Sequence, residues 1–459
     1  MNKGLAAVIL AAGKGTRMKS ALPKVLHPIC GEPMLYYPLE ASRQAGFKQL
    51  KVVVGHQAEQ VKERFANDDA TWIEQTDQLG TGHALMCAAE ALRGYSGPLL
   101  LLCGDVPLLK AETLKQLENY HAQQKSAVTV LTAQMPNPTG YGRVIRDGEQ
   151  VLSIVEEKDA TDEQRQVTEI NTGTYLFDSD FVLSALKGLN KNNAQGEYYL
   201  TDVVAAAVAA GEKTRALCVD DPTEVMGIND RCQLAEAEVI MRWKINADLM
   251  LGGISMTDPT TVYVDNGVEL GMDTLIHPNV HLHGKTSIGK NCIIETGVVV
   301  VDSQVADGVH LKAGSAIEES CIGPDCKIGP MAHLRPGTVL AGNNKIGNYV
   351  ETKKAQLDEG AQASHLTYIG DAEVGKNVNF GCGTITCNYD GVNKHKTIVE
   401  DDVFVGSDTQ FVAPVTIGRN SLIAAGSTIT KDVPADSLAM SRTSQKVING
   451  WRLRKQKKS

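Results

Sequence analysis

An apolar residue, usually aliphatic, returns every six positions through much of the second half of the chain. The positions are Ile276, Leu282, Ile288, Ile294 and Val300, then Ile322, Ile328, Leu334, Leu340 and Ile346, then Val399, Val405, Phe411, Ile417, Ile423 and Ile429. This period fits neither an α-helix, with about 3.6 residues per turn, nor an alternating strand. It fits a chain that makes three short strands per coil, each with one side chain inside a triangular prism. Roughly 155 residues at about 18 per coil predict eight or nine coils.

The first half alternates strand and helix patterns instead. The apolar runs LAAVILAA, LKVVVG, GPLLLLCGDV and SAVTVLTAQ predict buried strands, and GHALMCAAEALRG and LKAETLKQLENYHAQQ predict helices between them. Such alternation is typical of an α/β, Rossmann-like domain with a mostly parallel sheet covered on both faces. A long helix follows, with Asn229 or Asp230 as its cap and Gly252 and Gly253 at its end. The expected divisions are a first domain at 1–228, a linker helix at 229–252, and a prism at 253–459 that ends in a basic tail.

Length and charge narrow the class of protein further. A chain of 459 residues favours two or more domains. The net charge of −9 argues against nucleic acid or an anionic membrane as the main partner. The ten cysteines match no common zinc pattern, and no apolar run approaches the ~20 residues of a membrane span. We therefore expect a cytoplasmic protein with reduced thiols. The basic tail, WRLRKQKKS, predicts either a solvated end or an arm that reaches a neighbouring subunit or an anionic ligand.

A glycine turn follows the first predicted strand, in LAAGKGTRMKSALPKVL. Gly13 and Gly15 expose backbone N–H groups that suit phosphate, and Arg17 and Lys24 bring two cations to the same place. The order of these residues matches neither a P-loop nor a dinucleotide fingerprint. The sequence therefore predicts a phosphate site of another kind.

The pattern L-x-x-G-x-G-T-R with a downstream P-K resembles the sugar-phosphate nucleotidylyltransferases, which join an NTP to a sugar 1-phosphate and release pyrophosphate. QLGTGHA, CGDVPLL, TGYGRV, IVEEKDA and EINTG follow in the family's order. The resemblance implies that Asp105 and Asn229 hold Mg²⁺ and that Arg17 and Lys24 act catalytically on the phosphates. It implies that UTP and the nucleotide sugar bind to Leu10, Ala11, Ala12, Gly13, Lys24, Gln75, Gly80, Thr81, Cys103, Gly104, Asp105, Gly142, Glu156, Asn171 and Asn229. Within this set Gln75, Gly80 and Thr81 contact the uracil, and Gly142, Glu156 and Asn171 hold the sugar.

The six-residue repeat resembles the hexapeptide-repeat family. Its members form left-handed parallel β-helices that usually trimerise, with sites between neighbouring columns. The repeat here is broken by polar and basic residues in AHLRPG, ETKKAQ, SHLTYIGDAEVGKNVNFGCG and CNYDGVNKHKT. A prism seldom needs such residues for its own stability, so they indicate a second site, and the last segment predicts a loop that projects from the column.

The whole chain resembles a bacterial family of bifunctional enzymes that are both N-acetylglucosamine-1-phosphate uridyltransferases and glucosamine-1-phosphate acetyltransferases. NAQGEYYLTD, HLTYIGDAEVG and GTITCNYDG are specific to it. The resemblance implies acetyl transfer from acetyl-CoA to glucosamine 1-phosphate, then uridylyl transfer from UTP to the product. The resulting UDP-N-acetylglucosamine supplies peptidoglycan and lipopolysaccharide synthesis in the cell envelope. The implied partners are these small molecules and, in a homotrimer, two further copies of the chain.

This second resemblance assigns the residues of the acetyltransferase site. His365 is the catalytic base that takes the proton of the attacking amine. The sugar phosphate binds to Arg335, Lys353, Tyr368 and Asn379. Acetyl-CoA binds to Cys382, Asn388, Tyr389, Lys394, Ser407, Ala425 and Arg442. Cys382 stands where the family usually has alanine, and Lys394 matches a lysine that closes over a neighbour's site.

Two alternatives stay open at this point. The chain could be a single-function nucleotidylyltransferase whose prism only oligomerises, or a sensor of nucleotide sugars without catalytic activity. Arg17 and Lys24, together with the metal pair Asp105 and Asn229, argue against the sensor, because binding alone needs no metal-assisted leaving group.

Overall fold

The structure, a computed structural model, describes residues 4–456, so the end of the basic tail lies outside the described residues. The chain forms two compact units, Met1–Met241 and Arg242–Ser459, which are described separately. The finer division at residues 228 and 252 stays a prediction. None of the helices within the described range is long and apolar enough to cross a membrane.

The first unit is built on a mixed sheet with helices on both faces. Its strands are β1 (Ala6–Ala11), β2 (Pro28–Ile29), β3 (Glu32–Pro33), β4 (Gln49–Val54), β5 (Thr71–Glu74), β6 (Pro98–Cys103), β7 (Val128–Gln134), β8 (Arg143–Asp147), β9 (Gln150–Val155), β10 (Glu169–Asp178) and β11 (Thr214–Cys218). Its helices are α1 (Tyr36–Gln44), α2 (Ala58–Arg64), α3 (Thr81–Ala88), α4 (Ala111–Gln124), α5 (Asp162–Arg165), α6 (Ser179–Ala185) and α7 (Asp202–Ala209).

The main sheet has the order β11-β7-β10-β6-β1-β4-β5. The pairs β1–β4, β1–β6 and β4–β5 are parallel, whereas β10 runs antiparallel to both β6 and β7. Side chains of β1 alternate between two hydrophobic clusters, one containing Ala6 and Val8 and the other Ala7 and Ile9. The predicted α/β architecture is confirmed, with one antiparallel strand in the middle. Because β1, β4, β5 and β6 are parallel, the loops after their carboxyl ends meet at one edge of the sheet.

A long helix, α8 (Arg231–Leu251), follows the first sheet. Asp230 caps it, since its Oδ1 accepts hydrogen bonds from the backbone N–H groups of Cys232 (2.9 Å) and Gln233 (3.0 Å). Of the two candidate caps, Asp230 is therefore the one used. At the other end Gly253 adopts a left-handed conformation, with φ of 99°.

The second unit consists of short parallel strands stacked in coils. They are β12 (Ser255–Met256), β13 (Tyr263–Val264), β14 (Glu269–Leu270), β15 (Leu275–Ile276), β16 (His281–His283), β17 (Ser287–Ile288), β18 (Ile293–Ile294), β19 (Val299–Val301), β20 (Gln304–Val305), β21 (His310–Leu311), β22 (Ala316–Glu318), β23 (Cys321–Ile322), β24 (Lys327–Ile328), β25 (His333–Leu334), β26 (Val339–Leu340), β27 (Lys345–Asn348), β28 (Glu351–Leu357), β29 (Gln362–His365), β30 (Tyr368–Val374), β31 (Asn379–Phe380), β32 (Ile385–Cys387), β33 (Thr397–Val399), β34 (Phe404–Val405), β35 (Gln410–Val412), β36 (Val415–Ile417), β37 (Leu422–Ile423), β38 (Thr428–Ile429) and β39 (Leu438–Ala439). The helix α9 (Trp451–Gln456) follows them.

The six-residue period predicts the core of this unit correctly. Every position of the three runs is buried in a single hydrophobic cluster. The number of coils is larger than expected, because one face of the column stacks 11 parallel strands, from β12 to β39, within the described residues. The expectation of eight or nine coils was wrong, because it counted only the regular part of the repeat. Asparagine and aspartate in left-handed conformation, such as Asn291 and Asp325, also turn the chain at its corners.

The interruption of the repeat is a projecting loop, as predicted. Asn379 pairs with Gln362, 17 residues earlier, and with Phe404, 25 residues later. One coil therefore contains about eight extra residues, while the strands on either side keep their register. An antiparallel bridge between Tyr389 and Lys394 closes this loop.

Candidate active sites

A cleft of about 420 Å³ lies at the carboxyl edge of the first sheet. Its walls are Leu10, Ala12, Gly13, Lys14, Gln75, Gln78, Gly80, Thr81, Ala84, Cys103, Asp105 and Glu197. Most of these residues belong to the predicted nucleotide site, whereas Lys14, Gln78, Ala84 and Glu197 were not among the sequence predictions. The cleft is large enough for a nucleotide and opens at the place where α/β sheets usually bind ligands.

Lys24 joins the two predicted metal ligands. Its ammonium forms an ion pair with Asp105 and donates a hydrogen bond to Asn229 Oδ1 at 2.9 Å. The backbone N–H of Ile228 donates to Asp105 O at 2.9 Å, which ties the two ligand segments together. The carboxylate and the amide oxygen therefore converge on one cation.

Glycine at position 15 makes room for Lys24. Gly15 has φ of 59°, and a Cβ there would lie 2.6 Å from Lys24 Cβ. Any side chain would therefore both strain the backbone and displace the lysine. Arg17 lies on the short helical turn that follows, and its side chain is exposed.

The predicted uracil residues form one corner of the cleft. Gln75 is buried, and its Nε2 donates a hydrogen bond to Gly80 O at 3.1 Å. Helix α3 begins at Thr81, directly after Gly80, whose φ is 105°. A Cβ on Gly80 would lie 2.6 Å from Tyr198 O, so glycine allows the segment NAQGEYYLTD to pack closely here.

The predicted sugar residues also lie together. Asn171 N donates to Gly142 O at 2.8 Å, and a Cβ on Gly142 would lie 3.5 Å from Glu156 Oε1. Burial raises the pKa of the Glu156 carboxyl, and the charges of Asp159 and Asp202 raise it further. Protonation of this carboxyl is therefore easier than in water, and a protonated carboxyl can donate as well as accept.

Cys103 is the last residue of β6, and Gly104 follows it directly. Burial raises the pKa of the Cys103 thiol to about 12, so this thiol stays protonated at neutral pH and is a poor nucleophile. Gly104 N donates to Leu10 O at 2.9 Å, and a Cβ at Gly104 would lie 3.0 Å from Leu35 Cδ1. A larger residue at this position would therefore require Leu35 to shift by a few tenths of an ångström.

In the second unit, His365 is oriented by a residue that the sequence reasoning missed. Its Nδ1 lies 2.9 Å from Asn348 Oδ1, and the two residues are in register on neighbouring coils. Because an amide oxygen only accepts, Nδ1 carries the proton and Nε2 keeps its lone pair. The sequence contains a signal for this contact, because Asn348 precedes His365 by 17 residues, which is the length of one coil.

A cluster of positive charge lies on the same column. The positive charges of Lys394 and then of Arg335 lower the pKa of Lys353, which shows that the three side chains are near one another. Arg335 Nη1 also donates to Glu351 Oε1 at 2.6 Å. Within this chain Lys394 thus lies beside its own predicted sugar-phosphate residues. Tyr368, in register with Glu351, adds a phenol on a neighbouring coil.

Four of the predicted acetyl-CoA residues follow one corner of the prism, namely Cys382, Ser407, Ala425 and Arg442. Hydrogen bonds join successive coils there: Asp408 N donates to Cys382 O (2.7 Å), Gly426 N to Ser407 O (2.8 Å) and Arg442 Nη1 to Ala425 O (2.7 Å). One coil earlier Gly383 N donates to Leu366 O at 2.9 Å, next to His365. A continuous line therefore runs from the histidine past Cys382, Ser407 and Ala425 to Arg442.

The carboxylate of Asp390 accepts several hydrogen bonds inside the projecting loop. Asp390 accepts hydrogen bonds from Asn393 N (2.7 Å), Val392 N (2.8 Å) and His395 Nε2 (2.7 Å). The bond from Asn393, then those from His395 and Val392, lowers the pKa of Asp390 to about 2. Asn388, at the base of the loop, is buried, and its side chain donates to Asp371. The loop is thus ordered by hydrogen bonds within it and by one from its base to Asp371 on the column.

Three protein families match parts of the chain. The nucleotidyl transferase family matches residues 6–225, the GMPPB C-terminal domain matches 259–357, and the bacterial transferase hexapeptide (six repeats) matches 396–431. Together, the fold and these matches define the class of protein. The chain has a nucleotidyl transferase domain followed by a hexapeptide-repeat transferase domain. The predicted fold class is thereby confirmed.

Full-length relatives narrow the class to one family. The bifunctional protein GlmU of Syntrophotalea carbinolica is 61% identical over 98% of this chain and 97% of its own length. That of Pelobacter propionicus is 56% identical over 100% of both chains, and that of Geotalea uraniireducens is 56% identical over 98% and 99%. The chain belongs to the bifunctional GlmU family. The sequence resemblance and the expectation of a bifunctional transferase are confirmed.

Proposed function

We propose that this chain makes UDP-N-acetylglucosamine in two reactions, one in each unit. The prism transfers the acetyl group of acetyl-CoA to glucosamine 1-phosphate, and the first unit transfers UMP from UTP to the product with release of pyrophosphate. The observation that carries this proposal is that each unit has its own set of reactive groups. Lys24, Asp105 and Asn229 converge in the first, and His365 with Asn348 begins the acetyl-CoA corner in the second.

In uridylyl transfer two anions must approach each other. Lys24 and Arg17 neutralise phosphate charge as the sugar phosphate attacks the α-phosphorus and pyrophosphate leaves. Gln75, Gly80 and Thr81 hold the base, and Gly142, Glu156 and Asn171 hold the sugar, which fixes the attacking oxygen in line.

Mg²⁺ fits the first site. The Asp105 carboxylate and the Asn229 amide oxygen already share one cation, the Lys24 ammonium, and oxygen donors with few protein ligands are what Mg²⁺ prefers beside phosphates. When bound, Mg²⁺ supplies charge neutralisation at the phosphates. Among the described residues no group of three or more His, Cys, Asp or Glu could hold a metal. Asp105 and Asn229 would hold the ion beside the substrate phosphates.

In acetyl transfer the amine must lose a proton as it attacks. His365 Nε2 takes that proton while the amine nitrogen bonds to the thioester carbonyl carbon. The carbon–sulfur bond then breaks, and the proton passes from His365 to the departing CoA sulfur. Arg335, Lys353, Tyr368 and Asn379 hold the sugar phosphate, and acetyl-CoA lies along the corner from Cys382 to Arg442, with Asn388 and Tyr389 beside it.

We also propose a cytoplasmic homotrimer with acetyltransferase sites at its subunit interfaces, where Lys394, which lies beside Lys353 of its own chain, would also border a neighbour's site. The described cysteines form no disulfide, which fits a reducing compartment. Sedimentation equilibrium should give three times the mass of one chain, and a monomer would contradict the trimer.

One assay separates the two reactions. The enzyme is given UTP, acetyl-CoA, glucosamine 1-phosphate and Mg²⁺, and CoA and pyrophosphate are measured separately. We expect His365→Ala to lose CoA release but to release pyrophosphate when N-acetylglucosamine 1-phosphate is supplied, and Lys24→Ala to show the reverse. EDTA should stop pyrophosphate release alone. A wild-type enzyme without CoA release would favour the single-function alternative, and an enzyme with neither activity would favour the sensor.

A further inference from the structure

His83 lies on helix α3 and is fixed against the uracil corner of the first cleft. Its Nδ1 is 3.0 Å from Gln75 Nε2, and its Nε2 is 3.9 Å from Cys87 Sγ. The imidazole also stacks on Tyr198, with ring centroids 6.3 Å apart and planes inclined by 25°. The ring is thus held by contacts on several sides. Its role is not explained by the proposed phosphate or sugar contacts.

The carbonyl of Gly80 determines which way the Gln75 amide faces. A backbone carbonyl only accepts hydrogen bonds, so the Gln75 atom 3.1 Å from Gly80 O is the nitrogen. The same nitrogen faces His83 Nδ1, which must therefore accept as well. The imidazole consequently carries its proton on Nε2 and points it toward the sulfur of Cys87, a weak acceptor. Both N–H groups of the Gln75 amide are occupied.

Only the oxygen of Gln75 remains for a ligand. Within the described part of the chain, no side chain or backbone group donates to Gln75 Oε1, and Gln75 lines the nucleotide cleft. The corner therefore presents an acceptor to the base. Uracil has a donor, N3–H, on its pairing edge, whereas cytosine has an unprotonated N3 that only accepts. An acceptor that faces an acceptor leaves both groups unpaired in a desolvated site, which is a strong basis for rejection.

We propose that His83 determines the base specificity of uridylyl transfer. By accepting the second N–H of Gln75 it locks the amide with Oε1 toward the base, which selects uracil over cytosine nucleotides. His83 touches no substrate in this arrangement and is a positioning residue. The inference rests on the proposed uridylyl transfer and goes beyond it, since the reaction itself does not require a particular base.

Two substitutions separate the hydrogen bond from the stacking. His83→Phe keeps an aromatic ring against Tyr198 but removes the acceptor, so one N–H of Gln75 becomes free to face N3 of cytosine. His83→Asn supplies an acceptor near the position of Nδ1 but no ring. For each, kcat/KM for pyrophosphate release is measured with UTP and with CTP, at saturating N-acetylglucosamine 1-phosphate. CoA release from the same preparation, which depends on the second unit, controls for the amount of enzyme added.

We expect the preference for UTP over CTP to fall about tenfold or more in His83→Phe, the effect of one unpaired buried hydrogen bond. In His83→Asn it should stay within about threefold of wild type. An unchanged preference in His83→Phe, or an equal loss in both variants, would overturn the role of the acceptor.

A measurement on the unaltered enzyme does not depend on how the variants fold. Side-chain ¹⁵N NMR of the histidine-labelled enzyme should show His83 with its proton on Nε2 and an unprotonated Nδ1. A proton on Nδ1 would overturn the inference. A wild-type enzyme that releases no pyrophosphate from UTP would refute the proposed function instead, and the NMR result would still decide whether His83 accepts from Gln75.

Discussion

Asn348 should control how well His365 acts as a base. Asn348→Ala removes the acceptor 2.9 Å from His365 Nδ1. His365 is exposed, so the freed imidazole can rotate and take the other tautomer. A hydrogen bond between neutral groups at such a site contributes about 1 kcal/mol net, which corresponds to a roughly fivefold change in the productive population. We therefore expect kcat for CoA release to fall about five- to tenfold. KM for glucosamine 1-phosphate should not change, because Arg335 and Lys353 are untouched.

The loss of kcat in Asn348→Ala is compared with two reference measurements, the kcat of His365→Ala and the rate of pyrophosphate release. His365→Ala should lower kcat by about 10²- to 10⁴-fold, the range for loss of a general base. Pyrophosphate release should be equal in all variants when N-acetylglucosamine 1-phosphate is supplied. Asn348→Asp tests the same contact differently, because a carboxylate stabilises the imidazolium. Its pH–rate profile for CoA release should have an acid limb displaced to higher pH. If Asn348→Ala stays within about twofold of wild type and Asn348→Asp keeps the wild-type profile, the orienting role is refuted.

Three further predictions follow from single residues. N-ethylmaleimide should inhibit CoA release more than pyrophosphate release, because Cys382 is exposed beside the proposed acetyl-CoA corner; equal loss of both activities, or no protection by acetyl-CoA, would contradict this. Gly15→Ala should reduce kcat/KM for UTP by about tenfold or more and leave acetyl transfer intact, since the new Cβ would lie 2.6 Å from Lys24 Cβ; unaltered UTP kinetics would show that the lysine can move away. The pKa of Asp390 is lowered to about 2, so its loop should be fully stabilised above about pH 4 and loosen as the pH falls toward 2. Hydrogen exchange at the Asn393 amide measures this, and Asp390→Asn should remove the pH dependence.

The regular part of the fold follows directly from the sequence. Each aliphatic of the six-residue period, from Ile276 to Ile429, is in the core because every coil must fill the same triangular space. The eight-residue excess of one coil is visible in the sequence as a change of period. The irregular coils at either end lack the full aliphatic pattern, and for that reason their number could not be counted. The antiparallel direction of β10 was also not predicted, because a buried strand has the same apolar sequence pattern whether it runs parallel or antiparallel to its neighbours.

In the candidate sites, residues that belong to sequence motifs were predicted, whereas residues that act only through their contacts were not. Lys24 and Asp105 were found through motifs that contain them, and the structure brings them together. Asn348 and His83 orient other residues, and this role follows only from their contacts in the structure. Asn348 acts across one coil, so the register must be known first. The role of His83 depends on the direction of an amide, which no residue spacing encodes.

The stacked corner of the prism has a fixed length that is set by counting coils. Three coil steps lead from His365 to Ala425, past Cys382 and Ser407, which is about 14 Å at ~4.8 Å per step. Arg442 then contacts Ala425 O. If acetyl-CoA lies along this corner as proposed, the number of coils between His365 and Arg442 would set the length of thioester substrate that fits. Because each coil contacts only its neighbours, a whole coil inserted between Ser407 and Ala425 would leave His365 and Asn348 in place and lengthen the substrate that the corner accepts.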